Sequence, residues 1–199
     1  MKVVLFTAGT ESTALLIYSI RLYGINNVVA LTTIINTVPT NPFHKHYTST
    51  EFYTKKICNE LGVKHIIARK DSMGNEMIGC YGMLQFIPDA YNVVLADPTV
   101  DAVFVGAHSK DNHNSAHIQL GWNLFNRVMS YYKRLVFIDM PLKDKTKLEQ
   151  YKSIPDNIKQ YVWTCDFYAS RNTSSGDTVS YNRCHKCSKC VEFDLLTKE

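Results

Sequence analysis

A doubly wound α/β fold, with a mostly parallel sheet of about five strands, is the architecture this sequence predicts. Three observations carry the prediction. Five short runs have β-type apolar composition. Segments of helical period separate them. Small or glycine-bearing turns follow the strands. The chain has 199 residues, of which 45% are hydrophobic and 20% charged. That is ordinary for a folded domain and excludes disordered, collagen-like and low-complexity classes.

Each element has its own signal. Lys2 to Phe6 is a short apolar run that reads as a buried parallel strand. The small polar turn Thr7-Ala8-Gly9-Thr10-Glu11-Ser12 follows, and a helical pattern runs from about Glu11 to Tyr23, with Gly24 at its C′ position. Asn27 to Ile35 is the second strand. Thr48 and Glu51 have capping-box spacing before a helix that ends near Leu61-Gly62. Lys64 to Ala68 is the third strand, and residues 76–99 read as one or two helices. Ala102 to Val105, followed by Gly106, is the fourth strand.

Ile118, Trp122, Phe125, Met129 and Tyr132 form a helical face over Ile118 to Tyr132. Leu135 to Ile138 is the fifth strand. Lys145 to about Ile154 is a helix that Pro155 stops. Ser170 to Ser180, polar and rich in Gly, Ser and Thr, reads as a mobile surface loop. Residues 1–199 are expected to form one domain, with a metal-binding segment over 163–191 inside it.

The formal net charge is +4 and the sequence pI about 8.6. Such a mild excess does not by itself indicate a nucleic-acid partner. No apolar run reaches the ~20 residues of a bilayer span, and Met1 to Thr7 lacks the form of a signal peptide. Of six cysteines, Cys58 and Cys80 stand alone. Cys165, Cys184, Cys187 and Cys190 crowd together. Without an export signal this pattern indicates metal binding in a reducing, cytoplasmic compartment rather than a disulfide framework. Four thiolates fill a tetrahedral Zn²⁺ shell and leave no place for water, so the zinc would be structural. Their ionisation would bring the net charge toward +2. His185 and Lys186 are placed to donate to the sulfurs. A nucleic-acid-binding zinc ribbon is the rival; it usually has two separated Cys-x-x-Cys pairs, and here there is one triplet and a single cysteine.

The turn after the first strand is either a plain βα connection or a phosphate loop. The start of a helix presents free N–H groups and partial positive charge to an anion. Gly9 lets backbone come close, and Thr7, Thr10 and Ser12 add hydroxyls. No Gly-Lys-Ser/Thr follows, so it is not a Walker loop. Asp111 suits Mg²⁺ or a base edge, or equally a helix N-cap. Lys147 suits a phosphate, or is a solvated member of the run Lys143, Lys145, Lys147. His113 and His117, four apart, read as solvated residues or as substrate contacts, and His108 as a weaker candidate for the same pocket. His44-Lys45-His46 reads as an exposed loop or a cleft wall. Cys58 is expected in the core; Cys80 has no assigned role. The sequon Asn172-Thr173-Ser174 has no meaning without secretion.

Thr7-Ala8-Gly9-Thr10-Glu11-Ser12-Thr13 resembles the Ser-Gly-Gly-x-Asp-Ser loop of the PP-loop (N-type) ATP pyrophosphatase family. Within it the chain looks most like the 7-cyano-7-deazaguanine synthases of queuosine precursor synthesis. Val105-Gly106 through Asp111 is similar to their strand-Gly-(x)4-Asp. Pro141-Leu142 with Thr146-Lys147 is similar to their Pro-Leu…Thr-Lys. Trp163-Thr164-Cys165 with Cys184-x-x-Cys187-x-x-Cys190 is similar to their zinc site. Thr7, Ala8 and Glu11 replace Ser, Gly and Asp of the family loop. Only Asp111 remains of the substrate stretch Asp-Tyr-Ser-Gly-Tyr-Pro-Asp-Cys-Arg, and the family's Arg-Asn pair is Tyr91-Asn92 here.

The resemblance implies a ligase that uses ATP and Mg²⁺ to adenylate the carboxylate of a 7-deazaguanine base, which ammonia converts through an amide to the nitrile (preQ0). By the same resemblance Thr7 to Thr13 hold the nucleotide phosphates, Asp111 is a base or magnesium contact, and Lys147 is a second phosphate contact. Cys165, Cys184, Cys187 and Cys190 would hold structural zinc, and the assembly would be a homodimer. Some relatives carry an iron–sulfur cluster on cysteines; three ligands would leave Cys165 free. Alternatives are a diverged member acting on another base or stopping at the amide, a non-catalytic nucleotide- or base-binding homologue, and a tRNA-modifying enzyme. The absence of an evident RNA-binding segment disfavours the last.

Overall fold

The computed structural model describes residues 1–36, 44–71, 82–111, 116–165, 170–173 and 179–198. Five strands, β1 (Lys2–Leu5), β2 (Val28–Asn36), β3 (Lys64–Asp71), β4 (Ala102–Phe104) and β5 (Phe137–Asp139), form one sheet of order β3-β2-β1-β4-β5. Every pairing in it is parallel. The helices are α1 (Thr10–Tyr23), α2 (His44–Leu61), α3 (Gly82–Ala96), α4 (Ala116–Tyr131), α5 (Lys147–Lys152), α6 (Asp156–Lys159) and α7 (Ser188–Leu196). Among the described residues no helix is long and apolar enough to cross a membrane.

Alternation along β1 explains why its run is apolar throughout. Val4 and Phe6 join Leu15 and Leu16 of α1, Ile57 of α2 and Phe193 of α7 in one core. Val3 and Leu5 join Ile87, Ala90 and Val94 of α3 and Phe125 and Met129 of α4 in another. A central parallel strand covered on both faces has no polar side to show. Asp89 of α3, buried, accepts from the Thr33 hydroxyl of β2 and pairs with Lys70 of β3 at 3.1 Å. This satisfied polar contact helps fix α3 against the sheet.

Several boundaries move, each for a physical reason. Thr48 and Glu51 lie inside α2, which already begins at His44, so they are not its capping box. Glu51 instead takes both guanidinium nitrogens of Arg69, at 2.6 and 2.9 Å. His44, Lys45 and His46 belong to the first turn of α2 rather than to a loop; their side chains lie outside the described residues, as do His113, Cys80 and the side chain of His117. α3 contains Pro88, which withholds one N–H from the helix ladder. The fifth strand starts at Phe137, with Leu135 fully in solvent. Arg134 sets that entry by donating to the carbonyls of Val94, Asp97, Pro98 and Val100.

The helix expected over Lys145 to Ile154 is shorter. Thr146 caps it through a complete capping box with Glu149, and Pro155 caps the separate α6. The expected loop over Ser170 to Ser180 has strands at its two ends, β6 (Ser170–Thr173) and β7 (Val179–Asn182), paired antiparallel. Residues 174–178 lie outside the described residues. Cys58 is a core residue, and burial pushes its thiol up to about 12.

His65 gives the fold a pH dependence. The Thr32 hydroxyl donates to Phe6 O at 2.8 Å and so accepts from His65 Nε2 at 2.9 Å. Burial first, then the Lys55 charge, push this imidazole down to about 4, with Glu51 opposing. An unfolded histidine takes its proton near 6.5. The unfolded state therefore binds more protons in that window, and stability present above pH 6.5 is lost as pH falls toward 4. After a discount for partial exposure, the loss between pH 8 and pH 5 is about 1 kcal/mol. Urea unfolding at the two pH values is expected to differ less in His65→Gln than in the parent; an equal difference would remove His65 as the cause.

Candidate functional site

Strand order reverses between β1 and β4, and in a parallel α/β sheet a ligand cleft opens beyond the carboxyl ends at such a point. Here a cleft of about 230 Å³ is lined by Thr7, Glu11, Ser12, Phe86, Gly106 and Asp111, among others. It draws together the turn before α1 and the segment after β4, which are far apart in sequence.

The turn before α1 is tightly built. Ser12 Oγ bonds Thr7 N (3.3 Å), Thr7 Oγ1 (3.2 Å) and Gly9 O (3.3 Å). Gly9 is the N-cap residue with no side chain to cap, and Thr13 N makes an early helical bond to Gly9 O at 2.9 Å. The leading N–H groups of a helix have no partner within it. Thr10 and Thr13 are fully buried, and their hydroxyl oxygens have no hydrogen-bond partner among the described residues. Ala8 is also fully buried, at φ 61°, the left-handed region that glycine favours. Its carbonyl accepts from Trp163 N at 2.8 Å. Gly106 packs on this turn so closely that a Cβ there would lie 2.8 Å from Ser12 N.

Charged groups gather at the mouth. Lys147 Nζ lies 2.9 Å from Glu11 and 2.6 Å from Glu192 of α7. Burial weakens this ammonium, but the carboxylates of Glu11 and Glu192 outweigh it and hold its pKa above the ordinary lysine value. His108 Nδ1 accepts from Lys110 N at 3.1 Å. In the neutral ring Nε2 therefore carries the hydrogen, facing Glu11 at 3.7 Å and Asp111 at 3.6 Å. The Asp111 carboxylate accepts from His108 N at 2.8 Å; α4 is described from Ala116, and residues 112–115 between them lie outside the described residues. Behind the mouth, buried Gln150 donates to Ala107 O at 2.6 Å and Leu142 O at 3.1 Å, joining the exits of β4 and β5.

The second centre is the cysteine group. The sulfurs of Cys165, Cys184, Cys187 and Cys190 all lie within 4.8 Å of one another, so they could hold a metal ion. Cys184 and Cys190 sulfurs are 3.9 Å apart, and tetrahedral Zn–S bonds of ~2.3 Å require about 3.8 Å. Backbone N–H groups of Cys184, Cys187 and Cys190 each approach the preceding sulfur of the set at 3.4 Å. Burial opposes the Cys184 thiolate, yet N–H groups of Lys186 and Cys187 outweigh it and bring the thiol down to about 6. Burial and the neighbouring thiols push Cys190 the other way. Main-chain N–H groups donate to the sulfurs, those of His185 and Lys186 among them, while the His185 ring meets Asp194 at 3.0 Å.

Packing ties this centre to the turn before α1. Arg183 lies 3.7 Å over the Phe193 ring and donates to Val162 O at 2.6 Å. Trp163, next in the chain, stacks on Tyr53 at 4.5 Å.

The structure therefore brings Thr7, Glu11, Ser12 and Asp111 to one cleft, with Lys147 bonded to its rim. Ala8, Thr10 and Thr13 lie buried under the turn. Sequence reasoning missed Gln150 and Glu192. Nothing local marks Glu192, whereas Gln150 is a polar residue at a core position of a short helix. No protein-family model matches this chain, and no curated protein matches it.

Proposed function

We propose that the chain is an ATP-dependent carbon–nitrogen ligase of the PP-loop type, similar to 7-cyano-7-deazaguanine synthase, with a structural zinc ion. The observation that carries this reading is the position of the Thr7–Thr13 turn at the β1/β4 reversal, against Gly106. A helix start at such a point suits a polyphosphate. Cys165, Cys184, Cys187 and Cys190 suit zinc by spacing and by donor type. A zinc ion with four thiolates would fix the segment rather than react. Magnesium would travel with ATP, with Asp111 as its candidate contact.

In the proposed reaction a carboxylate oxygen of the 7-deazaguanine base attacks the α-phosphorus of ATP. The bond to the bridging oxygen breaks, and pyrophosphate leaves onto the free N–H groups of Thr10, Glu11 and Ser12. Ammonia then attacks the acyl adenylate, giving amide and AMP. A second adenylation, on the amide oxygen, precedes loss of AMP to the nitrile. Lys147, bonded to Glu11 and Glu192, is the candidate cation for phosphate charge at the rim once it is released from Glu192. The four reduced thiols suit a cytoplasmic setting.

The test is pyrophosphate release from Mg²⁺-ATP with 7-carboxy-7-deazaguanine and ammonium, each also omitted in turn. Release that needs the carboxylate, with a product mass of amide or nitrile, is expected. One observation favours a second reading, a nucleotide- or base-binding homologue without turnover. Glu11 puts a carboxylate into the first turn of α1, and Glu192 adds another beside it. Saturable ATP binding by folded, metal-loaded protein without pyrophosphate release would select that reading.

A further inference from the structure

Three charges meet where the cysteine segment touches the rim of the cleft. Glu11 and Glu192 share the Lys147 ammonium, at 2.9 and 2.6 Å, so the cluster carries one net negative charge (two carboxylates, one ammonium). Glu11 belongs to the turn before α1. Glu192 belongs to α7, whose position depends on the cysteine group. The Cys187 side chain caps α7, accepting from Cys190 N, and Cys190 and Phe193 are its buried residues. Glu192 and Cys190 therefore ride on the same nine-residue helix.

The Lys147 side chain is largely buried, and its ammonium is paired with two carboxylates. It lines, with Lys110, Leu148, Glu192 and Leu195, an open cavity of about 350 Å³ beside the cleft. A small reagent or a phosphate oxygen can reach the ammonium from that side, where the two carboxylates take two of its three donors.

We propose that Glu192 is a positioning residue that latches the Lys147 ammonium onto α7, and that metal binding by the four cysteines keeps the latch closed. The latch stands on the geometry alone; its consequence for polyphosphate rests on the nucleotide reading above. While Glu192 holds Lys147, the ammonium is withheld from an anion at the α1 N-terminus. Releasing it adds a cation there and removes a repelling carboxylate.

The experiment is reductive methylation with formaldehyde and a borane, read by mass spectrometry at each lysine. The samples are metal-loaded protein, metal-stripped protein and metal-loaded Glu192→Gln. Lys2 is the internal reference. Its side chain is as shielded as that of Lys147 and pairs with Asp101 at 2.8 Å, at the start of β1. Methylation of Lys147 is expected to rise severalfold in the stripped protein and in Glu192→Gln, with Lys2 unchanged. Unfolding would instead raise both. An unchanged Lys147 in either sample, or a rise shared by Lys2, overturns the latch.

Calorimetric titration with pyrophosphate then tests the nucleotide reading separately. Removing one charge at about 4 Å in a watery setting is expected to tighten pyrophosphate binding about fivefold in Glu192→Gln. If neither protein binds pyrophosphate, the nucleotide reading fails, while the methylation pattern still decides the role of Glu192.

Discussion

Stripping metal from the cysteine group, or replacing Cys190 by serine, is expected to cost roughly 3–5 kcal/mol of stability. For a chain of this length that corresponds to a fall in Tm of about 6–20 °C. Cys190 has no exposed surface and sits in the core shared by β1, α1 and Trp163. Without an ion, four sulfurs within 4.8 Å, two of them buried and two half-buried, would have to share a small space as thiols and mutually repelling thiolates. The damage should not stay local, since Trp163 N holds the Ala8 carbonyl of the turn before α1. Metal content by mass spectrometry and thermal unfolding with and without a chelator make the check. One ion per chain and a chelator-dependent Tm are expected; a Tm indifferent to complete metal removal would reject a structural metal.

Gly106→Ala is the second large effect, and its contrast with Gly9→Ala gives it force. A Cβ on Gly106 would lie 2.8 Å from Ser12 N, 3.0 Å from Glu11 C and 3.1 Å from Ser12 Cα. All three are backbone atoms, so no side chain can swing aside. Either α1 or the exit of β4 must shift, at a cost of about 1–3 kcal/mol. Ser12 N is also among the donors proposed for pyrophosphate, so ATP binding should weaken at least about tenfold, or about 1.4 kcal/mol. Gly9 has φ −68°, and its nearest neighbour to an added Cβ is Thr7 Oγ1 at 3.6 Å. Gly9→Ala should therefore melt within about 0.5 kcal/mol of the parent. Differential scanning calorimetry of both variants and an ATP titration of Gly106→Ala decide the matter. Equal stability of the two variants would contradict the close approach.

The more conspicuous glycine in the sequence was thus Gly9, inside a recognisable turn, whereas the sterically essential one is Gly106. Sequence position explains the difference. Gly9 announces itself by its small neighbours, while the crowding at Gly106 comes from α1, about a hundred residues away. Asp111 follows the same rule. Its residue type suits an N-cap or a magnesium contact, and only the fold shows its carboxylate turned back to His108 N. Thr48 and Glu51 matched a capping box by spacing, yet the helix had already begun, and Arg69 on β3 claims the carboxylate.

What the sequence determined by itself was whatever period and spacing encode. The continuous apolar runs of β1, β2 and β4 encoded strands buried on both faces, and the stripe through Trp122, Phe125 and Met129 encoded α4. The triplet Cys184, Cys187 and Cys190 gave a metal-type group, because residues three apart in a tight turn are bound to meet. Tertiary structure alone decided the order β3-β2-β1-β4-β5, hence which two exits face one cleft. It also decided that Lys147 would bond Glu192, 45 residues further along the chain. Local propensity carries no information on such partners. They meet because two hydrophobic faces of one sheet are covered by helices, and the cysteine group then fixes where α7 can lie.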